Sequence, residues 1–420
     1  MKPAPHNVRT LWLVGILHAF THVYHVALLP LYLQIRADFQ LASTEKATGL
    51  LTVMMMAYYL PSYPVGMLAD RLSRKALLGW GLFLNAAGFV GLGLSPSYGW
   101  AVASLVIAGL GGSCFHPAAT ALVARMNPTG TGRALGLVAI GASIGFLFGP
   151  FFSGAVAEIS GSWRTPILIL GAAGVVVSGV FALLARETAS VTTSIQRAMP
   201  LFPRRSFAWV FAAMAFFFCC RDFAGNSLGT LGALFLQNAH GMSPRQAGLA
   251  LSCIFVASAI SNPLFGHWSD GRRLPWLIGL VSVSACLFGL LPWLPAGGIP
   301  WAFLLYGGFF VASYPVVEAE LMQCVPDAVR GRFFGLFITV GGIGGNLSHW
   351  VAGAWVDHLG ARSHTVTAYR PLFGALGALM AFSLLGLPAL AWFRRHRGEY
   401  PKTTGESRVE PRAMAAESPA

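Results

Sequence analysis

Twelve long apolar runs alternate along this chain with short polar breaks. They fall at about 11–34, 46–68, 76–95, 100–124, 133–157 and 164–185, then at about 207–237, 245–268, 275–294, 300–324, 332–356 and 371–393. A helix needs about 20 apolar residues to cross a bilayer core, and every run supplies that length. Gly and Pro recur inside the runs, as they do in membrane bundles where small residues let backbones approach. The pattern predicts an all-α integral membrane protein with 12 transmembrane helices.

The runs repeat. Gly66, Asp70, Arg71, Arg74 and Lys75 follow the second run; Gly266, Asp270, Arg272 and Arg273 follow the eighth. Gly132, Arg133 and Gly136 open the fifth as Gly331, Arg332 and Gly335 open the eleventh. In that register Gly145 meets Gly344, Gly154 meets Gly353 and Glu158 meets Asp357, while His116-Pro117 falls opposite Tyr314-Pro315. An offset of about 200 residues held across several helices predicts two pseudo-symmetric six-helix bundles around a central path. The expected layout is an N-terminal tail at 1–10, one bundle at 11–185 and a linker at 186–206. A second bundle follows at 207–393, then a disordered tail at 394–420.

Composition excludes a water-soluble globule. Only 10% of the 420 residues are charged and 55% are hydrophobic, whereas soluble domains carry roughly a quarter charged residues. The net charge of +13 records topology rather than a nucleic-acid partner. With the N-terminus inside, cytoplasmic loops and tails hold 21 of the 28 Lys and Arg, opposite loops hold six, and Arg221 lies within a run. The positive-inside rule then sets both termini in the cytoplasm of a multi-pass inner-membrane protein. The first run is long enough to span, so no cleavable signal is read there. All six cysteines sit in or beside apolar runs and read as small packing residues. No phosphate loop, nucleophile elbow or metalloprotease motif is present. The chain reads as no enzyme, with no cofactor and no ATP-driven step.

The loop pattern Gly66-xxx-Asp70-Arg71-xx-Arg74-Lys75 resembles that of the major facilitator superfamily, and Gly266, Asp270 and Arg273 resemble its second copy. The resemblance implies a cytoplasmic latch made by Gly66, Asp70, Arg71, Arg74, Gly266, Asp270, Arg273 and Arg332. In it, glycine permits close crossing and Asp70 caps a neighbouring helix. Gly136, Gly145, Gly149-Pro150 and Gly154 resemble the fifth-helix packing motif of drug:proton antiporters, with Ser153 at a position usually glycine. That similarity implies export and a smooth helix face bent at Pro150. The fourth run departs from the antiporters, having no arginine between Ala101 and Ala124. Phe115-His116-Pro117 resembles the fosmidomycin-resistance branch, whose first helix pairs a histidine with an aspartate four residues on; here the pair is His18 and His22.

Polar groups inside the runs mark the path, since a mid-membrane charge costs about 2.5 kcal/mol or more. Arg221 is assigned to binding an anionic or polar substrate group and Asp222 to carrying a proton, with Asn226 beside them. Neighbouring helical residues point about 100° apart, so Arg221 and Asp222 need not pair. Glu318, one turn past Tyr314-Pro315, is a second proton-coupling candidate, and Glu320 is assigned to a latch with Arg330 or Arg332. His18, His22 and His25 share one face of the first run at i, i+4 and i+7. Such spacing converges imidazoles on a metal, but no cysteine or carboxylate nearby completes a set, so no metal site is assigned. The face is read instead as binding substrate through His18 and His22 and protons through His25. His116 and Tyr314 join the substrate set.

These assignments predict a secondary-active transporter that exports a small organic solute against protons by alternating access. Proton-coupled import of a small organic anion is the alternative, and a transporter-like sensor or binding protein is the alternative of another class. The expected partners are a small-molecule substrate, protons and the lipid bilayer, with no nucleic acid. The protein is expected to be a monomer.

Overall fold

The computed structural model describes residues 5–69, 72–127, 130–187 and 199–400. Twelve membrane-crossing helical segments follow one another. α1 is Pro5–Val26, prolonged by the 3-10 turn Leu29–Leu31 and by Tyr32–Asp38. α2 is Thr44–Tyr59 with Ser62–Ala69, α3 Arg74–Gly93, α4 Tyr98–Gly112 with Phe115–Met126, α5 Thr131–Ser160 and α6 Arg164–Leu184. α7 is Arg205–Asn238, α8 Pro244–Val256 with Ser258–Trp268, α9 Arg273–Leu290, α10 Ile299–Phe310 with Ser313–Cys324, α11 Asp327–Leu359 and α12 Val366–Phe382 with Leu387–His396. Among the described residues, ten of these segments are long and apolar enough to cross a membrane by length and composition alone. The other two are α2 and α11; in α11 the run Gly341-Gly342-Ile343-Gly344-Gly345-Asn346 dilutes the hydropathy.

Prolines explain four of the breaks within spans. A helical proline lacks an N–H and clashes with the carbonyl four residues back. Pro30 ends the first part of α1 at Val26, Pro64 acts on Leu60, Pro117 on Ser113 and Pro315 on Val311. The last two breaks set His116 and Tyr314 at the start of a fresh turn in mid-span. Pro150 remains inside the uninterrupted α5.

Pairing is two-fold. In the first bundle α1 packs on α5, α3 on α4 and α6, and α2 on α4; in the second α7 packs on α11, α9 on α12 and α8 on α10. Between bundles α5 meets α8, and α2 meets α11. Glycine is what lets these axes close. A Cβ at Gly145 would strike the Ala19 carbonyl of α1, one at Gly154 the Pro244 carbonyl of α8, and one at Gly353 the Thr48 hydroxyl of α2.

Both ends of the described chain lie on one face of the bundle pair, here the terminal face; the opposite one is the far face. Contacts between bundles gather toward the far face, where α2 and α8 begin and α5 and α11 end. Toward the terminal face, Cβ positions at Gly136, Gly266 and Gly335 would meet nothing within 4 Å. This corrects two expectations: Gly136 does not pack a helix and Gly266 does not permit a close crossing, because the bundles stand apart there. A Cβ at Gly149 would strike Val26 and the Val23 backbone of α1.

Candidate functional site

Three side-chain groups occupy the middle of the molecule. The first is built on α1 and α4. Successive turns of α1 stack His18, His22 and His25, with ring centroids 4.7 Å and 5.0 Å apart. The break before Pro117 turns His116 toward them, 5.3 Å from His18 and 5.8 Å from His22. Hydrogen bonding sets the tautomers. His18 Nδ1 lies 2.9 Å from the Val138 carbonyl, which only accepts, so Nδ1 carries the proton. The neutral ring then receives His22 Nε2–H at 3.0 Å on its own Nε2. That leaves His22 Nδ1 a bare lone pair, and it is buried without a partner, as is His25 Nε2. His18 is buried, while His116 is exposed although it lies in mid-span, so it borders the open space between bundles.

The second group belongs to α7 and α10. Arg221 is 1% exposed, and its Nη2 and Nε donate to Asp222 Oδ1 at 2.7 and 3.0 Å. Adjacent on one helix, the two nevertheless pair, because the long guanidinium folds back over the short carboxylate. Tyr314 stacks under the guanidinium at 4.4 Å, and Phe218 lies 5.2 Å from it. Asp222 Oδ2 is turned toward Gly341 of α11, where a Cβ would come within 2.8 Å. Asn226, one turn on, faces Gly345. Glu318 is within electrostatic reach of both Arg221 and Asp222.

A third group joins the bundles. His349 Nε2 meets Asn346 Oδ1 at 3.2 Å, and Asn346 Nδ2 donates to the Gly342 carbonyl at 2.7 Å, which fixes the amide's orientation. His349 Nε2 therefore carries the proton and its Nδ1 accepts from the Thr230 hydroxyl at 2.8 Å. Thr230 in turn accepts from Tyr32 at 3.1 Å. Every member of this chain from α1 through α7 to α11 has a partner. The step from histidines to arginine is made by neighbours on α2. Tyr58 meets His25 edge-on at 4.8 Å, and Tyr59, 5.0 Å from Tyr58, lies against Gly342 and within electrostatic reach of Asp222. Phe146 spans the other side, 4.2 Å from His22 and stacked at 4.7 Å on Phe255 of α8.

The expected latch divides. Asp70 and Arg71 lie outside the described residues. A Cβ at Gly66 would lie 3.8 Å from Pro117 of α4. Asp270 pairs with Arg273 at 2.8 Å within its own turn, and Arg273 also reaches the fully buried Glu320 at 3.7 Å. Arg394 supplies Glu320 with a second cation at 3.4 Å, and Arg332 donates to the Met199 carbonyl. Arg74 contributes its backbone. Its N–H and that of Lys75 both donate at 3.1 Å to Glu187, which follows α6 and also accepts from Ser73 at 2.6 Å.

A family model described as Major Facilitator Superfamily matches residues 11–225 and 214–417, which is nearly the whole chain. The chain belongs to the major facilitator superfamily. The transporter is 24% identical over 378 residues to the fosmidomycin resistance protein of Escherichia coli (strain K12), covering 86% of this chain and 90% of that one. It is 22% identical over 385 residues to the quinolone resistance protein NorA of Staphylococcus aureus (strain Mu50 / ATCC 700699), covering 89% and 93%. Among solved structures, a bacterial homolog of the human lysosomal transporter Spinster, in an inward-facing and unoccupied conformation, superposes with a TM-score of 0.74. The two share 18% identity over 96% of this chain and 99% of that one. A mutant of the nucleoside transporter NupG gives a TM-score of 0.73 at 16% identity, covering 90% and 99%. At such identities the two structures share the fold.

The structure brings His18, His22, His25 and His116 together in one group of the transporter, and Arg221, Asp222, Asn226, Tyr314 and Glu318 in another, whereas sequence reading divides the same residues into a substrate set and a proton set. Sequence reading leaves Tyr32, Thr230, Asn346 and His349 unselected. They come from three helices, and no local spacing links them.

Proposed function

We propose that the transporter exports a small organic solute in exchange for protons, with both termini in the cytoplasm. The observation that carries this reading is the Arg221–Asp222 pair, sealed at the bundle boundary with Glu318 in electrostatic reach. An ion pair costs much to bury in a membrane protein unless it is used. A polar solute would be held between Arg221 and the ionised Asp222 and Glu318, and protons taken up by those carboxyls from outside would expel it. Their release to the cytoplasm would restore the site, so that solute and proton exclude each other as exchange requires. Asp222 and Glu318 are thus the coupling groups, with His25 as a further proton site on the opposite wall. His18, His22, His116, Tyr314 and Asn226 form the rest of the solute surface. Opening and closing about the centre exposes this surface to each side in turn. Efflux rather than uptake is supported by the likeness to the two resistance proteins and by the glycines of α5. Fosmidomycin and quinolones, which appear in those relatives' names, are the first probes. In everted membrane vesicles, an imposed inside-acid gradient should drive labelled probe inward at a rate several-fold above vesicles without the protein. Equal accumulation with the gradient collapsed by an uncoupler would refute the coupling.

A further inference from the structure

His18, His22 and His116 approach one another more closely than interhelical packing alone requires. One ring nitrogen from each lies within 4.8 Å of the other two. Imidazole nitrogens on a single tetrahedral zinc-type ion, at about 2.0–2.1 Å from the metal, stand about 3.4 Å apart. Small rotations about the side-chain bonds close that gap. Two further features point to a ligand. The Nδ1–H of His18 is fixed on the Val138 carbonyl at 2.9 Å, which aims the Nε2 lone pair into the cluster. Metal-binding histidines are oriented in this way by a carbonyl on the other nitrogen. His22 Nδ1 is buried with a lone pair and no donor, although buried polar atoms are ordinarily satisfied.

We propose that His18, His22 and His116 bind one divalent transition-metal ion of the zinc type, with the fourth position open to the space between the bundles. The donor set is three imidazoles without a carboxylate, which suits zinc, cobalt, nickel or copper and disfavours magnesium and calcium. A neutral histidine keeps one lone pair whichever nitrogen holds the proton, so the three rings supply three lone pairs and binding releases no proton. The exposed side of His116 gives the ion its way in and leaves room for an oxygen donor of water or solute. Residues adjacent in sequence to His18 and His22 offer no third ligand; the fold brings it from α4.

The test uses full-length transporter purified in detergent through a tag free of histidine, then stripped with chelator. Co2+ is titrated as the probe. One ion per chain should bind with the strong visible absorption of four-coordinate cobalt, and Zn2+ should displace it. Binding should weaken at least tenfold in His22→Ala and in His116→Ala, and remain unchanged in His240→Ala, whose histidine lies near the far face. Zn2+ should raise the melting temperature of the wild type but not of His116→Ala, and the unliganded melt of each variant shows that it folds. The proposal is overturned if the cobalt spectrum stays that of the hydrated ion, or if both cluster variants bind as the wild type does. No flux is read, so failure of proton coupling would leave this result standing.

Discussion

Asp357, at the far-face end of α11, accepts the backbone N–H of Thr44 on Oδ1 and that of Glu45 on Oδ2, each at 2.8 Å. It thereby caps α2 from the other bundle. Ser43, the residue at the cap position, makes no side-chain bond there, so the carboxylate takes over a task usually done locally. In the repeat, Glu158 of α5 accepts from the N–H of Arg245 at the start of α8, at 3.3 Å, beside a local Ser243–Gln246 capping box. Each bundle thus places an acid of its fifth helix on the start of its partner's second helix at the far face.

An acid at a helix N-terminus and its two bonds contribute about 1–2 kcal/mol. Asp357→Ala should therefore shift the balance toward a far-face-open form by roughly 5- to 30-fold. Spin labels at Glu45 and Asp357 cannot report it, but labels at nearby Lys46 and His358 can, through a new long-distance population. An unchanged distance distribution would contradict the capping role.

Gly154 permits the same closure by contact rather than charge. Its Cβ position falls on the Pro244 carbonyl of α8, so Gly154→Ala should open the far face without harming the first bundle. Gly145 lies inside that bundle against Ala19, and Gly145→Ala should instead lower the melting temperature. Comparing labelling of a far-face cysteine with the thermal melt separates the two; identical behaviour of both variants would count against this assignment.

The Arg221–Asp222 pair predicts an asymmetry. Asp222→Asn strands a buried guanidinium, which costs about 3–5 kcal/mol, and should depress the melting temperature and abolish gradient-driven flux. Arg221→Gln with Asp222→Asn should recover most of the stability and none of the flux. Normal flux in the double variant would show the pair to be structural only.

Glu187 gives a pH-dependent link outside the membrane. Partial burial pushes its carboxyl up, but the Ser73 hydroxyl and the N–H groups of Lys75 and Arg74 outweigh this and hold it below the usual glutamate range. A carboxyl lowered on folding stabilises fully above its unfolded value and loses that contribution as pH falls through the folded one. Glu187→Gln should thus lower stability by about 1 kcal/mol at pH 7, and the difference should shrink in acid. Melting curves of both proteins from neutral to acidic pH check it; a gap independent of pH would argue otherwise.

Much of this was legible in the chain itself. Run lengths give the spans, the prolines at 30, 64, 117 and 315 give their breaks, and the offset that sets Glu158 opposite Asp357 gives the two halves. Convergence in space is what the chain conceals. His22 and His116 have the whole of α2 and α3 between them, and the chain from Tyr32 to His349 draws on helices that no local spacing connects. Gly136 and Gly266 show the reverse error, since a glycine can mark a close approach only when another helix is present to make one.

Proton counterflow tests the central claim most directly. Transporter is reconstituted in liposomes enclosing a pH-sensitive dye, and a solute selected by thermal-shift screening is added outside. Inward solute movement should drive protons out and raise the internal pH, in proportion to the solute taken up, and Asp222→Asn should abolish the signal. Solute uptake with no change in internal pH would contradict proton-coupled exchange.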